Sequence, residues 1–416
     1  VALVDTLIGA AIGKEMLGGC GNAPLAQVVR AAGSALQAFD QRGTQLGDDL
    51  RIFGVAFVGA TPAIVARDRH GGGEVPVYPG HFDLDRCGMA YPAQQVGRSI
   101  APALAMGNTV VLKPSEDACL SALRIAELAV EIGFPAGVFN VVTGRGETVG
   151  KALTEHRGVD FISFTGSPEV GTLIQIAAAK NYVGCTLELG GKSPQIVFED
   201  ADLEAAIPVL VNALIQNAGQ TCSAGSRVLI HSPIYDQVVA GLKARFEAIE
   251  VGPSGEDDIM GPLISARQKA RVEAYIADCD QPIIAKGRIG SNTPNDGFYV
   301  APVLFGPCDP NSRIAQEEVF GPVLCVIPFE DEAEAIAIAN GTDYGLVASV
   351  WTRDGARQKR VAKALLCGQI FVNNYGAAGG VELPFGGVRK SGHGREKGLV
   401  ALHEFSRIKT VVNYFG

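Results

Sequence analysis

Short apolar runs alternate with amphipathic segments from residue 108 onward, and this alternation restricts the possible folds more than any other feature. The run 108–114 is typical of a buried strand, and residues 117–132 carry apolar side chains at helical spacing. Further strands are predicted at 138–142, at 159–164 and up to Glu188, with helices at 147–155 and after Ser167. Strands joined through helices run parallel with right-handed crossovers, so this pattern predicts a Rossmann-type α/β sheet.

The glycine pair 190–191 predicts a hinge into a second α/β unit. Its predicted strands cover 195–198, 227–231, 322–328, 346–351 and 369–372, and its helices cover 202–216 and a segment through Glu247. A chain of 416 residues is too long for one ordinary hydrophobic core, which also favours two large domains. Within the first 90 residues, 26–39 has the pattern of an amphipathic helix.

Charge and cysteine content exclude several classes of protein. The formal net charge is −9, and the Lys and Arg residues are scattered, so a basic footprint for nucleic acid is absent. Nine cysteines without paired CxxC spacing argue against a disulfide framework and a structural zinc site, and they favour a reducing compartment. The apolar segment 1–19 is interrupted by Asp5, Lys14 and Glu15, which argues against a signal peptide and a membrane span. We therefore expect a cytoplasmic protein without a metal site.

One cysteine stands in a setting that suits a nucleophile. Cys222 lies in the loop 219–223 between a predicted helix and a predicted strand. A thiol in such a loop is accessible, and free backbone N–H groups can bind an oxyanion. For a cysteine taken alone, a small buried hydrophobic side chain is the commoner role. The polar, glycine-containing loop strengthens the case for catalysis at Cys222 and leaves both roles open.

A carboxylate ends the last strand before the hinge. Glu188 could cap the hinge or form a surface ion pair, and these are the usual roles of a carboxylate at such a position. A partly buried glutamate, however, has a raised pKa and can take a proton from water or a thiol near neutral pH. Because Glu188 and Cys222 flank the hinge, both can face one cleft between the domains.

Two turns at strand ends have the composition of nucleotide-binding turns. In the junction 164–171, Gly166 permits close backbone approach, and Ser167 with the helix N-terminus could bind a pyrophosphate. This turn departs from the GxGxxG pattern and is weak evidence alone. At an earlier strand end, Lys113 could reach ribose hydroxyls and Glu116 could accept from an adenosine 2′-OH, although a solvated turn could carry the same residues.

Six motifs in matching order and spacing resemble the aldehyde dehydrogenase superfamily. They are GNTVVLKPSE (107–116), FTGSPEVG (164–171), ELGGKSP (188–194), GQTCSAGSR (219–227), EEVFGPVL (317–324) and PFGGVRKSGHGRE (384–396). The resemblance, nearly continuous from Ala101 to the C-terminus, implies an α/β fold with a Rossmann-type cofactor domain, an α/β catalytic domain and a small β oligomerisation element. By this resemblance we expect the NAD-binding domain at 1–72 and 88–189, the catalytic domain at 190–395, and the oligomerisation element at 73–87 and 396–416.

The resemblance also implies roles for individual residues. Cys222 would be the nucleophile and Glu188 the general base. The cofactor would contact Lys113, Ser115, Glu116, Gly144, Gly166, Ser167, Leu189, Glu318 and Phe320, the last two at the nicotinamide ribose and ring. The substrate pocket would contain Tyr91, Gln95, Arg98, Thr221 and Phe385, with Asn373 supporting its floor. NAD is the implied cofactor, and the carboxylate of Glu116 makes NADP the less favoured one.

The implied reaction begins when the Cys222 thiolate attacks a small aldehyde. The thiohemiacetal passes hydride to NAD, and Glu188 activates the water that hydrolyses the thioester. One alternative is a CoA-acylating member of the superfamily, against which Glu188 argues because such members commonly lack this base. The other is a catalytically silent protein that keeps the fold for binding or assembly. Residues 404–414 alternate like a strand and imply a homodimer or homotetramer.

Three features depart from the superfamily pattern. Ala90 stands where the superfamily has an asparagine that donates to the oxyanion, and losing such a donor typically lowers the rate by ~10²–10³. Because residues 75–82 run almost directly into Cys87, the strand that precedes this motif is expected to be missing, which would leave the first sheet incomplete. Arg98 stands where the superfamily often has a large apolar residue; it could lie on a helix face turned toward solvent or a domain contact, or it could clamp an acidic aldehyde.

Overall fold

Two large, mostly parallel sheets with flanking helices form the chain. The computed structural model describes residues 54–58, 91–253, 260–376 and 382–415. The strands in chain order are β1 (Gly54–Val58), β2 (Thr109–Lys113), β3 (Phe139–Val141), β4 (Phe161–Thr165), β5 (Gly184–Glu188), β6 (Pro194–Val197), β7 (Arg227–His231), β8 (Glu250–Val251), β9 (Ile283–Lys286), β10 (Arg288–Ile289), β11 (Val303–Phe305), β12 (Val323–Phe329), β13 (Tyr344–Gly345), β14 (Val347–Trp351), β15 (Gln369–Val372), β16 (Val388–Arg389) and β17 (Gly392–His393).

The helices alternate with these strands as the apolar periodicity predicts. They are α1 (Pro92–Ala105), α2 (Leu120–Glu131), α3 (Lys151–Thr154), α4 (Pro168–Asn181), α5 (Leu203–Ile215), α6 (Tyr235–Ala248), α7 (Ala266–Ala277), α8 (Arg313–Gln316), α9 (Glu332–Asn340), α10 (Gly355–Ala364) and α11 (Gly398–Glu404). Side chains that accept from a first-turn amide cap five of them, namely Ser167, Asp202, Ser265, Asp331 and Asp354. The predicted helix at 147–155 is a π-helical turn, Gly146–Gly150, that continues into α3.

The first sheet has the order β3-β2-β1-β4-β5 and is extended beyond β5 by β17. The first five strands are parallel, and β17 is antiparallel to β5. This order is that of a Rossmann-type half, with neighbouring crossovers leading away from a central strand in both directions. The predicted α/β class and Rossmann-type sheet are therefore confirmed.

One expectation about the first sheet is wrong. The strand expected to be missing is present as β1, and it occupies the centre of the sheet between β2 and β4. Its backbone pairs in register with both neighbours, for example Gly54 with Thr109 and Val55 with Phe161. The apolar stretch GVAFV forms this strand, and it lies farther upstream than residues 75–82, on which the expectation was based. The predicted helix at 26–39 lies outside the described residues.

The second sheet has the order β15-β14-β6-β7-β12-β11-β9. All neighbours are parallel except β11 and β9, which are antiparallel. Its central strands are buried on both faces by helices, so they read as continuous apolar runs, such as Val228-Leu229-Ile230 in β7. Two short pairs, β8 with β10 and β13 with β16, lie outside the large sheets.

A buried arginine connects the hinge to the second sheet. The Arg227 side chain donates to three backbone carbonyl oxygens, those of Lys192 (2.9 Å), Ile338 (3.0 Å) and Ala339 (2.9 Å). A buried guanidinium requires such partners because its donors would otherwise remain unsatisfied. The start of β6 and the end of α9 are thereby fixed to one residue of β7.

The C-terminal segment differs from its prediction. A strand was predicted for 404–414, but α11 ends at Glu404 and residues 405–415 have no regular secondary structure. A strand requires a neighbouring strand to satisfy its ladder of hydrogen bonds, and none lies beside this tail in the described part of the chain. Phe405 packs edge-to-face on Phe161 of the first sheet (centroids 5.3 Å apart), whereas Ile408 is fully exposed at 100%.

Neither a membrane-spanning helix nor a metal-binding cluster of side chains is found among the described residues. Among the described residues, no helix combines the length and the apolar character that a bilayer crossing requires. The same residues include no group of three or more His, Cys, Asp or Glu side chains placed to hold a metal ion.

Candidate active site

The backbone leading to Cys222 has an unusual conformation. After α5, three consecutive residues adopt positive φ angles: Asn217 (52°), Ala218 (54°) and Gly219 (76°). Asparagine and glycine tolerate this region, but alanine is strained there, at a cost of about 1 kcal/mol or more. Strain of this kind persists only where the surrounding structure holds it. The turn changes the chain direction abruptly and leads it into the loop of the nucleophile candidate.

Hydrogen bonds from one buried side chain hold this turn. The Gln220 amide nitrogen donates to the Asn217 carbonyl (3.0 Å), and Gln220 Oε1 accepts from the Ile264 amide (2.9 Å). In return, the Asn217 side chain donates to the Gln220 carbonyl (3.0 Å). The loop is therefore cross-linked internally and to the segment before α7, which fixes where the next residues lie.

The Cys222 side chain is partly buried in a small apolar cluster with Leu346, Val347, Phe385 and Tyr375. The Tyr375 hydroxyl donates to the Ser223 carbonyl at 2.6 Å, directly after the cysteine. Burial, first of all, raises the pKa of the Cys222 thiol to about 12. The thiol is therefore protonated at neutral pH in the free protein, and a proton acceptor must lie nearby for it to react.

Carboxylates and one cation surround the thiol. The charges of Glu188, Glu318 and Glu396 add to the effect of burial on the pKa of Cys222, and the charge of Arg98 opposes it. These residues come from the end of β5, from the loop before β12, from the segment before α11 and from α1. The folded chain thus brings charged groups from both sheets to the cysteine.

Glu188 is the carboxylate that the sequence predicts as a base. It is the last residue of β5, is only 1% exposed, and neither of its carboxylate oxygens has a hydrogen-bond partner among the described residues. Burial and then the neighbouring Glu396 carboxylate raise the pKa of Glu188 well above its ordinary value, against the opposing charges of Arg98 and Arg395. A carboxylate with a raised pKa is a stronger base than an exposed one.

The two hinge glycines bring the site together. A Cβ atom at Gly190 would collide with the Glu318 carboxylate, and one at Gly191 would collide with the Cys222 carbonyl oxygen. The Gly191 amide donates to Glu318 Oε1 at 3.0 Å. Glycine is required here because the hinge backbone lies against both groups. The segment that follows Glu188 therefore contacts Cys222 and Glu318 directly.

Glu318 and Phe320 lie together next to the hinge. Burial raises the pKa of Glu318 to about 7. The Glu318 carbonyl accepts from the Arg271 guanidinium (2.9 Å), and the Phe320 carbonyl accepts from the Gln268 side chain (2.7 Å). Phe320 has a positive φ of 57°, so α7 holds a strained turn in place. Their predicted contact with a nicotinamide ribose and ring stays a prediction.

The predicted adenosine-ribose residues form one interaction group after β2. Lys113 is buried, and its Nζ donates to the Pro114 carbonyl (2.9 Å) and pairs with Glu116 (3.4 Å). Glu116 also accepts from the Gly146 amide at 2.6 Å. Partial burial of Glu116 is outweighed by these hydrogen bonds and by the charge of Lys113, so its pKa is lowered and it is ionised at neutral pH. Ser115 is buried and accepts from the Asp117 amide (3.4 Å).

Gly144 lies close to this group, just before the π-helical turn. Its φ is 146°, and a Cβ there would collide with the Val149 side chain. Glycine is therefore the residue that this backbone accepts. Since Glu116 accepts from the Gly146 amide, the turn at 144–146 lies next to the end of β2, and the predicted contacts of both with the cofactor stay predictions.

The turn after β4 presents a helix N-terminus beside Glu188. Gly166 donates its amide to the Glu188 carbonyl (3.0 Å), and Ser167 caps α4 by accepting from the Val170 amide (3.4 Å). Gly171, one turn along α4, packs against the Leu189 side chain. The remaining first-turn amides of α4 point out of the helix start, which is the geometry that favours a phosphate.

The predicted substrate-pocket residues come from α1, the cysteine loop and the C-terminal motif. Tyr91 has a φ of 51°, and its hydroxyl donates to Gln216 Oε1 (3.2 Å). Gln95 and Thr221 are buried, and Gln95 Oε1 has no hydrogen-bond partner within the described ranges. Burial, with the nearby thiol adding to it, raises the pKa of Tyr91. Ala90 itself lies outside the described residues.

Arg98 and Phe385 are in mutual contact. The Arg98 side chain forms an ion pair with Glu396, and its guanidinium stacks over the Phe385 ring, 4.5 Å from the centroid. Of the two roles considered for Arg98, this contact corresponds to the domain contact, because its charge is already matched by a carboxylate of the protein. Asn373, expected to support the floor, accepts from the Thr352 amide (3.0 Å) and has a φ of 52°.

Three residues of the site were not singled out from the sequence: Glu396, Arg395 and Tyr375. Glu396 and Arg395 end the motif 384–396, but the motif served only to establish the resemblance. A charged pair closing a glycine-rich stretch was the available signal, since such glycines often let backbone approach a buried side chain. For Tyr375 the signal was its position shortly after β15 and Asn373.

Comparison with known proteins agrees with this geometry. The pattern of the aldehyde dehydrogenase family matches residues 90–411. An aldehyde dehydrogenase from Emericella nidulans is 44% identical over 344 residues, covering 81% of this chain and 69% of that protein. A betaine aldehyde dehydrogenase from Bacillus subtilis is 44% identical over 327 residues, covering 77% of this chain and 66% of that protein.

Solved structures give the same result. A betaine aldehyde dehydrogenase from Staphylococcus aureus in complex with NAD⁺ superposes with a TM-score of 0.73 at 40% identity, covering 76% of this chain and 63% of that one. The chain spans about two thirds of the length of the curated relatives it matches, 69% and 66% for the two above. The family pattern covers more than half of the chain, and the relatives exceed 40% identity. The predicted resemblance is thus confirmed, and the chain belongs to the aldehyde dehydrogenase family.

Proposed function

We propose that this chain oxidises a small aldehyde to a carboxylate with NAD as the hydride acceptor. The observation that carries the proposal is the convergence of Cys222, Glu188 and Glu318 at the glycine hinge between the two sheets. A buried thiol, a base with a raised pKa and a second carboxylate at one point are the parts that thiol-dependent aldehyde oxidation requires. The relative from Staphylococcus aureus, named as a complex with NAD⁺, supports the choice of cofactor.

The residues present fit NAD. The ionised Glu116, held by Lys113 and the Gly146 amide, can accept from a ribose 2′-OH and would repel a 2′-phosphate, which favours NAD over NADP. The N-terminus of α4 at Ser167 suits the pyrophosphate. Glu318, beside the hinge, would hold the nicotinamide ribose. When bound, the nicotinamide supplies the acceptor for the hydride that leaves the substrate carbon.

The chain's own residues perform the rest. Cys222 must lose its thiol proton before its sulfur bonds to the aldehyde carbon, and Glu188, whose pKa burial raises above its ordinary value, is the nearby base that would accept this proton. After oxidation, the substrate is a thioester on Cys222, and Glu188 takes a proton from the water that cleaves it. In total, aldehyde, NAD⁺ and water give carboxylate, NADH and two protons.

A direct assay tests this proposal. Purified full-length protein is mixed with a panel of aldehydes and NAD⁺, and NADH is followed by absorbance. We expect turnover in the wild type, none in Cys222→Ser, and at most one slowly formed equivalent of NADH without turnover in Glu188→Gln, since thiol deprotonation and hydrolysis would both lose their base. A Cys222→Ser variant that still turns over would refute the assignment of the nucleophile. A Glu188→Gln variant with full turnover would refute the assignment of the base.

A catalytically silent protein is the second candidate, favoured by Ala90 in place of the amide donor. On this alternative the fold is kept for binding or assembly, and NAD binds without turnover. Calorimetric binding of NAD⁺ with no NADH from any aldehyde would support it. The CoA-acylating alternative predicts turnover that depends on added CoA, and Glu188 argues against it.

Assembly as a homodimer or homotetramer is part of the proposal, as is a cytoplasmic location. The tail after α11 exposes apolar side chains, among them Ile408 (100%) and Tyr414 (91%), that a neighbouring chain would cover. The domain boundaries expected from the resemblance are proposed in the same way; β17 (392–393), which they assign to the catalytic domain, pairs with β5 of the first sheet. Light scattering of the purified protein gives the oligomer size, and a monomer at micromolar concentration would contradict this part.

A further inference from the structure

The ion pair between Arg98 and Glu396 lies within the protein rather than at its surface. The two side chains are 9% and 1% exposed, and they join α1 to the segment before α11. Burying two charges is unfavourable unless they are paired and further satisfied. A buried arginine at this position does not serve solubility, and its other contacts indicate what its role is.

The Arg98 side chain contacts both residues of a short β-bridge, Phe385 and Glu396. Phe385 and Glu396 exchange two backbone hydrogen bonds, from Phe385 N–H to the Glu396 carbonyl (2.7 Å) and from Glu396 N–H to the Phe385 carbonyl (2.8 Å). The guanidinium contacts the Glu396 carboxylate on one side and covers the Phe385 ring on the other. One side chain thus fixes the orientation of an acid and of an aromatic ring that lie opposite each other.

This bridge forms a wall of the catalytic centre. Phe385 packs in the cluster that contains Cys222. The next residue, Gly386, lies so close to Glu188 that a Cβ there would stand 2.7 Å from Glu188 Oε1. Glu396 also accepts from the hydroxyls of Ser99 in α1 (2.9 Å) and Ser163 in β4 (3.4 Å). Contacts therefore run without a gap from Arg98 to both reacting residues.

We propose that Arg98 is a positioning residue of the active site: its buried cation holds the Phe385–Glu396 bridge against Cys222 and Glu188 and balances the carboxylates gathered there. The proposal rests on the proposed function for its kinetic consequences only. Its electrostatic consequence, a change in the reactivity of the Cys222 thiol, holds whether or not an aldehyde is turned over.

The charges that face the thiol define the expected direction. Glu188 ends β5, Glu318 precedes β12, and Glu396 precedes α11. Tyr91 and Tyr375 are neutral titratable groups nearby. Further cations face the carboxylates: Arg395 faces Glu188, Lys397 faces Glu396, and Lys192 and Arg271 face Glu318. Arg98 is the cation of this group that lowers the pKa of Cys222. When Arg98 is removed, its positive charge no longer opposes the three carboxylates, so the Cys222 thiolate becomes harder to form.

The test measures thiol reactivity against pH. Wild type, Arg98→Met, Arg98→Lys, Glu396→Gln and the double variant Arg98→Met/Glu396→Gln are treated with iodoacetamide at several pH values, and the Cys222 peptide is followed by mass spectrometry. Arg98→Met should shift the alkylation profile upward by about one pH unit, which is about tenfold less thiolate at a fixed pH below the midpoint. Arg98→Lys, which keeps the charge, should restore the profile. The double variant should recover part of the shift because the unmatched carboxylate is gone.

The positioning of the Phe385 ring by Arg98 is measured by a second experiment. Lysine cannot stack as a flat guanidinium does, so Arg98→Lys should raise KM for the aldehyde about threefold or more and should change kcat by a smaller factor. Arg288→Met, which removes an exposed arginine paired with Glu250, is the matched control and should change neither readout. Circular dichroism identifies variants that fail to fold, and if Arg98→Met does so, Arg98→Lys and Glu396→Gln carry the test.

Three results would overturn the proposal. The first is an alkylation profile of folded Arg98→Met that coincides with the wild type. The second is an Arg98→Lys variant with the profile of Arg98→Met, since charge would then not be what matters. The third is a double variant whose shift equals that of Arg98→Met, because Glu396 would then be uninvolved. Absence of aldehyde turnover in the wild type would instead count against the proposed function alone.

Discussion

Replacing Gly191 by alanine should lower kcat more than the same replacement at Gly190, the other hinge glycine. A Cβ at residue 191 would lie against the backbone carbonyl oxygen of Cys222, and no left-handed φ complicates the comparison. Ordinary van der Waals separation then requires the nucleophile's backbone and the hinge to separate by about 1 Å, and a misplacement of that size can lower a rate by about 10²-fold. The carbonyl cannot rotate away as a side chain could, because the turn before it is cross-linked through Gln220.

Two matched glycine-to-alanine substitutions show how large the effect at residue 191 is by comparison. In Gly190→Ala the new methyl group would meet the end of the Glu318 side chain, which can turn, so we expect a raised KM for NAD⁺ with a smaller loss of kcat. Gly355 at the start of α10 has open space around its Cβ position, so Gly355→Ala should be neutral or slightly stabilising. Overpacking at 191 should also lower stability by about 1–3 kcal/mol.

The assay combines kcat from NADH formation, the alkylation rate of Cys222, and the thermal midpoint of each purified variant. The expected order of kcat is Gly355→Ala equal to wild type, then Gly190→Ala, then Gly191→Ala about 10²-fold lower. A Gly191→Ala protein with wild-type kcat, alkylation rate and midpoint would refute the reasoning, since the hinge would then have room that the structure denies it.

Three further predictions follow from the site. Because burial raises the pKa of Glu318 to about 7, the folded protein binds this proton more tightly than the unfolded chain does, so this residue's contribution to stability falls as pH rises from about 4.5 through 7. In urea unfolding, the free energy of unfolding of Glu318→Gln relative to the wild type should therefore rise between pH 5 and pH 8, by about 3 kcal/mol at most. A difference that does not depend on pH would contradict this. Tyr375→Phe removes the donor to the Ser223 carbonyl and should lower the free energy of unfolding by about 1–2 kcal/mol and also lower kcat, whereas an unchanged midpoint would mean that this hydrogen bond does not hold the loop. Ala90→Asn should raise kcat by supplying an oxyanion donor of the kind worth ~10²–10³ in rate elsewhere, and an unchanged kcat would reject that explanation.

Local sequence patterns predicted most of the fold after residue 108. Buried parallel strands such as β7 and β12 are apolar throughout, and helix starts such as Ser167 carry their own capping side chain, so both signals lie within a few residues. Cys222 and Glu188 could be singled out for the same reason, since each stands at a strand or loop boundary beside glycine.

Contacts between distant segments could not be predicted in this way. Ser99 and Glu396 are 297 residues apart, and nothing in the sequence near either one indicates the other. The ion pair of Arg98 with Glu396 was therefore not predicted, and the sequence left a domain contact and a substrate clamp as open roles for Arg98. The position of β1 was missed because its partners, β2 and β4, are separated from it along the chain. The strand predicted for the tail failed because alternation alone supplies no neighbour to pair with.

The first sheet contains strands from both ends of the described part of the chain, and this limits when it can be completed. Its central strand, β1, comes from the earliest described residues, whereas β17, which pairs with Glu188 itself, comes from almost the last. A chain still leaving the ribosome can assemble the parallel strands, but it lacks the segment that borders the catalytic carboxylate until synthesis is nearly finished. Such long-range closure slows folding and leaves an open sheet edge exposed meanwhile. Reactivity at the thiol should therefore mature only at the end of folding, after the bulk of the secondary structure has formed.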